Sequence, residues 1–85
     1  MKVITHTGKE YQISWMGVAT VDGALRFEVT GSNLPDVFQT FSNRNETTIL
    51  TQDWDGMTTH YVGYTRFKTI DIQPTQNIIV ALDKE

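Results

Sequence analysis

Two histidines and ten carboxylates are the side chains of this 85-residue chain with the most chemistry to offer. His6 and His60 could hold a metal or pass a proton. No HxH, HxxE or HExxH spacing brings ligands onto one face, so the residues read as solvated or rim histidines. Asp53-Trp54-Asp55-Gly56 alternates carboxylates as the opening of a calcium loop does. Such a loop needs further oxygen ligands and a late bidentate glutamate, whereas Met57-Thr58-Thr59-His60-Tyr61 returns to a strand pattern. A hairpin tip is the better reading. Asp22, Glu28, Asp53 and Asp55 could work as acid and base, but none lies in an apolar stretch that would shift its pKa. There is no GxSxG turn, and Gly8-Lys9-Glu10 lacks both the GxxxxGK[ST] pattern and a following helix. The chain has no cysteine, hence no disulfide, no thiolate zinc site and no cysteine nucleophile. The expectation is a non-enzymatic protein with no catalytic residue, no cofactor and no metal.

Charge narrows the partners. Seven Lys and Arg against ten Asp and Glu give a net charge of -3, with no basic cluster to neutralise phosphates. Tyr11, Trp15, Tyr61, Tyr64 and Phe67 could be imagined as a base-stacking platform, but the surrounding charge has the wrong sign. Neither nucleic acid nor membrane is expected as a partner. Trp54, flanked by Asp53, Asp55 and Met57, instead resembles an interface anchor with a polar rim, with packing back onto the neighbouring sheet as the other reading. Met1-Lys2-Val3-Ile4-Thr5-His6 turns polar too soon for a secretory signal, and no apolar run approaches the roughly 18 residues of a membrane span. An intracellular protein is expected, in which the glycosylation pattern Asn45-Glu46-Thr47 has no consequence. The length allows one domain, residues 1–85, with a modest core and little room for a deep cavity.

The elements that must position these side chains are mostly strands. Val, Ile and Thr make up 27 residues against seven Ala and Leu, a bias toward stiff side chains that suit a pleated surface. Val3-Ile4-Thr5-His6 and Glu10-Tyr11-Gln12-Ile13-Ser14-Trp15 read as a hairpin through Thr7-Gly8-Lys9, with Tyr11, Ile13 and Trp15 on the inner face. Trp15 and Phe27 are expected in the core. Met16-Gly17 marks a bend or bulge before a third strand, Val18-Ala19-Thr20-Val21. Asp22-Gly23 suits a type I′ turn into Ala24–Val29, with Leu25, Phe27 and Val29 inward.

Leu34, Val37, Phe38 and Phe41 repeat at i, i+3, i+4 and i+7, predicting one short helix over about residues 34–41. Asn33 or Ser32 caps it, Pro35 fits its first turn, and Phe38 and Phe41 are expected at the centre of the core. On that reading Phe38→Ala costs about 3–5 kcal/mol. Ser42-Asn43-Arg44-Asn45 reads as a loop. Thr47–Gln52 then runs to a turn at Asp55-Gly56 and returns along an unusually long strand, Thr58–Ile72, whose apolar phase shifts in a way a bulge at Gly63 would resolve. The closing strand Asn77–Leu82 is apolar on both faces. Ile78, Val80 and Leu82 fill the core, and Ile79 and Ala81 need a second cover: the helix, another layer or a partner subunit. The expected fold is mainly β, a six- or seven-stranded antiparallel sandwich or partly open barrel. Trp54, Met57, Ile79 and Ala81 are the candidate interface.

Four runs, Gly8–Trp15, Asp22–Phe27, Gly63–Ile70 and Ile78–Lys84, resemble a group of small β-rich proteins encoded near the tail genes of tailed phages and prophages of Gram-positive bacteria. These runs are strand and turn chemistry, so no site residue is carried over. The resemblance implies a phage structural or tail-associated protein that contacts itself and other phage proteins, in the host cytoplasm or incorporated into the virion. The alternative is a small acidic inhibitor of a host defence or nucleic-acid enzyme, mimicking phosphate charge. A third reading, a small-ligand barrel, requires a cavity lined by Tyr and Trp.

Overall fold

The computed structural model describes residues 1–85. Seven strands, β1 (Lys2–Ile4), β2 (Glu10–Val18), β3 (Leu25–Val29), β4 (Ile49–Trp54), β5 (Met57–Val62), β6 (Arg66–Ile72) and β7 (Ile78–Asp83), form one antiparallel sheet in the order β5-β4-β1-β2-β3-β7-β6. Consecutive strands β5 and β6 therefore occupy opposite edges. In a flat sheet, six steps of about 4.8 Å would hold them about 29 Å apart. Gly63-Tyr64-Thr65 can bridge at most about 14 Å between Val62 and Arg66. The sheet must curl until its two edges approach at that end, yet they do not pair, and the sheet stays open.

Two bulges shape the curl. In β2 the register slips between Ile13 and Trp15, so Tyr11 and Ile13 are buried while Trp15 turns outward opposite Glu28 and is 40% exposed. Met16 replaces Trp15 on the inner face, opposite Phe27 and packed against the core. The expected core role of Trp15 is thus corrected: one extra residue reverses the facing of all that follow. Val18 ends this same nine-residue strand, and no separate third strand forms over residues 18–21. The connection to β3 is a loop over residues 19–24, not a two-residue turn; only Gly23 there has positive φ, and Ala19 and Gly23 are tied across it.

The second bulge lies in β6 at Lys68, between Phe67 and Thr69. At Gly63, where a bulge was expected, the long return strand instead breaks in two. Gly63 has φ +87° and donates its N–H to the carbonyl of Thr48 at 3.1 Å, turning the chain from one edge of the sheet toward the other. A Cβ there would meet only Lys84 at 3.9 Å, so the demand is conformational. Gly63→Ala is expected to lower stability by about 1–2 kcal/mol in urea melts.

The predicted helix forms as α1 (Leu34–Phe41), with the Asn33 side chain accepting from the Asp36 N–H at 3.0 Å and Pro35 in the first turn. Asn43-Arg44 does not continue as loop. Asn43 caps a second helical turn, α2 (Arg44–Thr47), by accepting from the Asn45 N–H. Val37 and Phe41 are buried, and the Phe41 ring meets Phe27 edge-on at 4.8 Å and Tyr11 at 5.1 Å. Phe38 is not central: it is 48% exposed and rests edge-on against Phe67 at 5.4 Å, over the start of β6. The inner position that the helical repeat gave Phe38 goes partly to Thr40, buried because its hydroxyl meets the Tyr11 hydroxyl at 2.7 Å. The core is completed by Val3, Leu25, Val29, Leu50, Ile78, Val80 and Leu82, so the expected inward faces of β3 and β7 are both seen. No pocket opens in the packed chain, which leaves the ligand-barrel reading without a cavity. No helix is long and apolar enough to cross a membrane.

Candidate functional site

Glu46 and Tyr11 are the ionisable groups held inside the fold, and both are tied into its hydrogen bonding. Glu46, on α2, is buried and accepts hydrogen bonds from the hydroxyls of Thr5, at 3.0 Å, and Thr7, with Lys9 Nζ 3.4 Å away. Its backbone carbonyl also accepts from the His6 N–H at 2.9 Å, tying α2 to the β1–β2 turn. The Thr7 hydroxyl, then Thr5 and Lys9, hold the Glu46 carboxyl below its ordinary value despite burial. Tyr11 donates to Asp36 at 2.8 Å, and burial pushes its phenol up. Neither group lines an opening. Glu46 escaped the sequence reading because its burial depends on α2, a single turn with no apolar periodicity.

The four candidate interface residues separate into two places. Ile79 and Ala81 lie on β7, an interior strand between β3 and β6. Ala81 is fully buried and is withdrawn as an interface residue. Its cover comes from within the chain. Arg26 stands opposite Ala81 on the outer face, and Asp22 binds both Arg26 nitrogens, at 2.8 and 3.0 Å, together with Lys68 at 3.1 Å. Lys68 reaches on to Asp83 at 3.6 Å. The Arg26 guanidinium first, then the Ala24 N–H and Lys68, hold the Asp22 carboxyl far below the usual carboxylate range. Ile79 is half-buried between Glu28 and Asp71, not within an apolar patch.

Trp54 and Met57 are brought together. They face each other across the β4–β5 turn, where Asp55 and Gly56 have φ of 52° and 79°, and are 56% and 68% exposed. This is the hairpin tip expected at Asp55-Gly56, and the positive φ at both positions marks the type I′ turn. Trp54 and Met57 share the parity of Leu50 and Tyr61, so the tip carries the inner, apolar face of the hairpin beyond the core.

Behind the tip runs the edge strand β5. Residues 57–60 and Val62 are exposed, and the pairing with β4 has no bulge over six residue pairs. Met57-Thr58-Thr59-His60-Tyr61-Val62 carries no Lys, Arg, Asp, Glu or Pro, the residues that usually blunt a free edge. His60 lies here, its Nδ1 3.0 Å from the Thr51 hydroxyl, whereas His6 lies in the turn between β1 and β2. The opposite edge, β6, has the bulge and carries Arg66, Lys68 and Asp71. One edge is guarded and the other is not. The sequence reading missed this contrast because it placed β5 and β6 in a single strand.

Comparisons of the chain with protein-family models, with curated proteins and with solved structures find no match.

Proposed function

We infer that the protein is a non-enzymatic structural protein of a tailed phage or prophage, tail-associated, acting through self-assembly and contacts with other phage proteins. The unguarded β5 edge, continued by Trp54 and Met57, carries the reading. A free uncharged strand offers backbone hydrogen bonds, and an exposed Trp beside a Met offers an anchor for a second protein. Assembly would take place in the host cytoplasm, with incorporation into the virion. The acidic-inhibitor alternative draws less support, because five of the ten carboxylates, Glu10, Asp22, Glu46, Asp83 and Glu85, are tied to Lys or Arg within the chain. A phosphate mimic needs its negative charge free.

Light scattering from micromolar to millimolar protein tests the reading. The expected result is a mass that rises with concentration, and Trp54→Ala, at an exposed position, weakens association by about tenfold or more with little change in melting temperature. A monomer throughout the range sinks the self-assembly reading. Capture by the tagged chain of a host nuclease in place of tail proteins would favour the inhibitor.

A further inference from the structure

We propose that a second copy of this chain pairs with β5 antiparallel about a two-fold axis centred on His60, joining two sheets into one. This rests on the self-assembly reading above and adds the surface, the register and the point at which growth stops.

The register follows from hydrogen-bond parity. Gly63 donates to Thr48, which makes Gly63 and Thr48 a bonded pair of the β4–β5 ladder. Bonded and non-bonded pairs alternate in an antiparallel ladder, so Tyr61/Leu50, Thr59/Gln52 and Met57/Trp54 are the other bonded pairs. The N–H and C=O groups of Thr58, His60 and Val62 therefore point to the free side. A two-fold axis normal to the sheet keeps inner face beside inner face and sets residues of equal parity opposite one another. Only the register with His60 opposite His60 uses all three free residues in bonded pairs, because it also places Thr58 opposite the second copy's Val62.

Charge complementarity favours the same register. It sets Met57 opposite the second copy's Gly63, which brings the turn that carries Asp55 toward the end of the second copy where the chain leaves β5 through Tyr64, Thr65 and Arg66. That end of the molecule is basic: Arg66 is exposed, and Lys84 is exposed with its Nζ 5.7 Å from the centre of the Tyr64 ring. Arg44 and Glu85 there neutralise each other, and Asp83 is engaged by Lys68. The two-fold axis makes this contact twice. Growth stops at two copies because β6, the only other free edge, is bulged and charged.

The absence of cysteine permits a clean test with the full chain. In this register the two His60 Cα atoms lie about 5.5 Å apart, inside the roughly 4.4–6.8 Å that a disulfide spans. His60→Cys, incubated with oxidised glutathione, is expected to give a covalent dimer on non-reducing gels. Thr58→Cys, four residues out of register with its own copy, and Thr69→Cys, on the β6 edge, are expected to stay monomeric on the same gels. His60→Lys, which sets two ammonium groups face to face, is expected to weaken the dimer by about tenfold or more in sedimentation while leaving the melting profile of the monomer unchanged. Equal crosslinking at positions 58, 60 and 69, or none at 60, in a protein that still self-associates overturns the β5 register alone. A wild-type chain that sediments as a monomer up to millimolar concentration overturns the self-assembly reading along with it.

Discussion

Phe41→Ala is expected to cost about 3–5 kcal/mol, and Phe38→Ala only about 1 kcal/mol, in paired urea melts. The two rings lie three residues apart on α1 and are chemically identical, so the contrast isolates burial. Phe41 is 1% exposed and wedged between Phe27 and Tyr11, where α1 closes the open side of the curled sheet. Its removal leaves a cavity lined by groups on β2 and β3 that cannot collapse without unpairing strands. Phe38 keeps about half its surface in water and loses one edge-on contact with Phe67. A domain of this length has a total stability of roughly 4–13 kcal/mol, so Phe41→Ala should bring the chain near its folding limit. Each kcal/mol is worth about 4–8 °C at this size, and a melting temperature lowered by at least about 12 °C is the thermal counterpart. Equal losses for the two variants would mean that α1 sits on the sheet in another rotation.

Glu46→Ala is expected to cost about 2–3 kcal/mol, and Glu46→Gln less, because both threonines donate to one carboxylate oxygen and an amide oxygen there still accepts from them. The carboxylate serves both Thr5 and Thr7 and faces Lys9, and it joins α2 to the first hairpin. Deleting it leaves the buried Thr5 O–H without an acceptor, although Thr5 still accepts from the Lys9 N–H, and leaves the Lys9 ammonium without its partner. The same geometry sets a pH dependence. The Glu46 carboxyl lies below its ordinary value of 4.5 in the folded chain, so the unfolded state takes up its proton first as pH falls. Its stabilisation is complete above that value and is lost as pH drops through the folded pKa. Asp22, also held low, acts in the same direction through its contacts with Arg26 and Lys68. Urea midpoints measured from pH 7 down to pH 3 should therefore fall, and the fall should be shallower in Glu46→Gln. Identical slopes for the two proteins would remove Glu46 as a source of the acid sensitivity.

The legible parts of the fold were those whose signals are local. Asn33 before an i, i+3, i+4, i+7 repeat gave α1 at residues 34–41, because the cap and the apolar stripe both lie within a few residues of each other. Asp55-Gly56 gave the hairpin tip, because positive φ at two successive positions is a demand few dipeptides meet. Alternation placed Leu25, Phe27 and Val29, and Ile78, Val80 and Leu82, on inner faces. Of the candidate site, Trp54 and Met57 were legible because they flank that turn. Ala81 was misjudged, since its cover consists of Arg26, held by Asp22, both far from Ala81 in sequence, with Lys68 joined to Asp22.

Where local pattern is ambiguous, tertiary contacts made the choice. Trp15 shares its alternation with Tyr11 and Ile13, and only pairing with β3, which fits after an extra residue at Ser14, turns it outward. Residues 58–72 read as one strand, because Gly63 is compatible with a bulge and with a terminus alike. Curling of the whole sheet decided for the terminus and sent the two halves to opposite edges.

Taken alone, the order of residues determined a β-rich domain with one capped amphipathic helix, two-faced strands and an apolar hairpin tip, since each depends on dihedral preference and periodicity within a single segment. Only the folded chain decided which phenylalanine is buried, where a carboxylate lies under threonines, and which edge is left unpaired. Those outcomes depend on strand order and register, which are set by contacts between segments far apart in sequence.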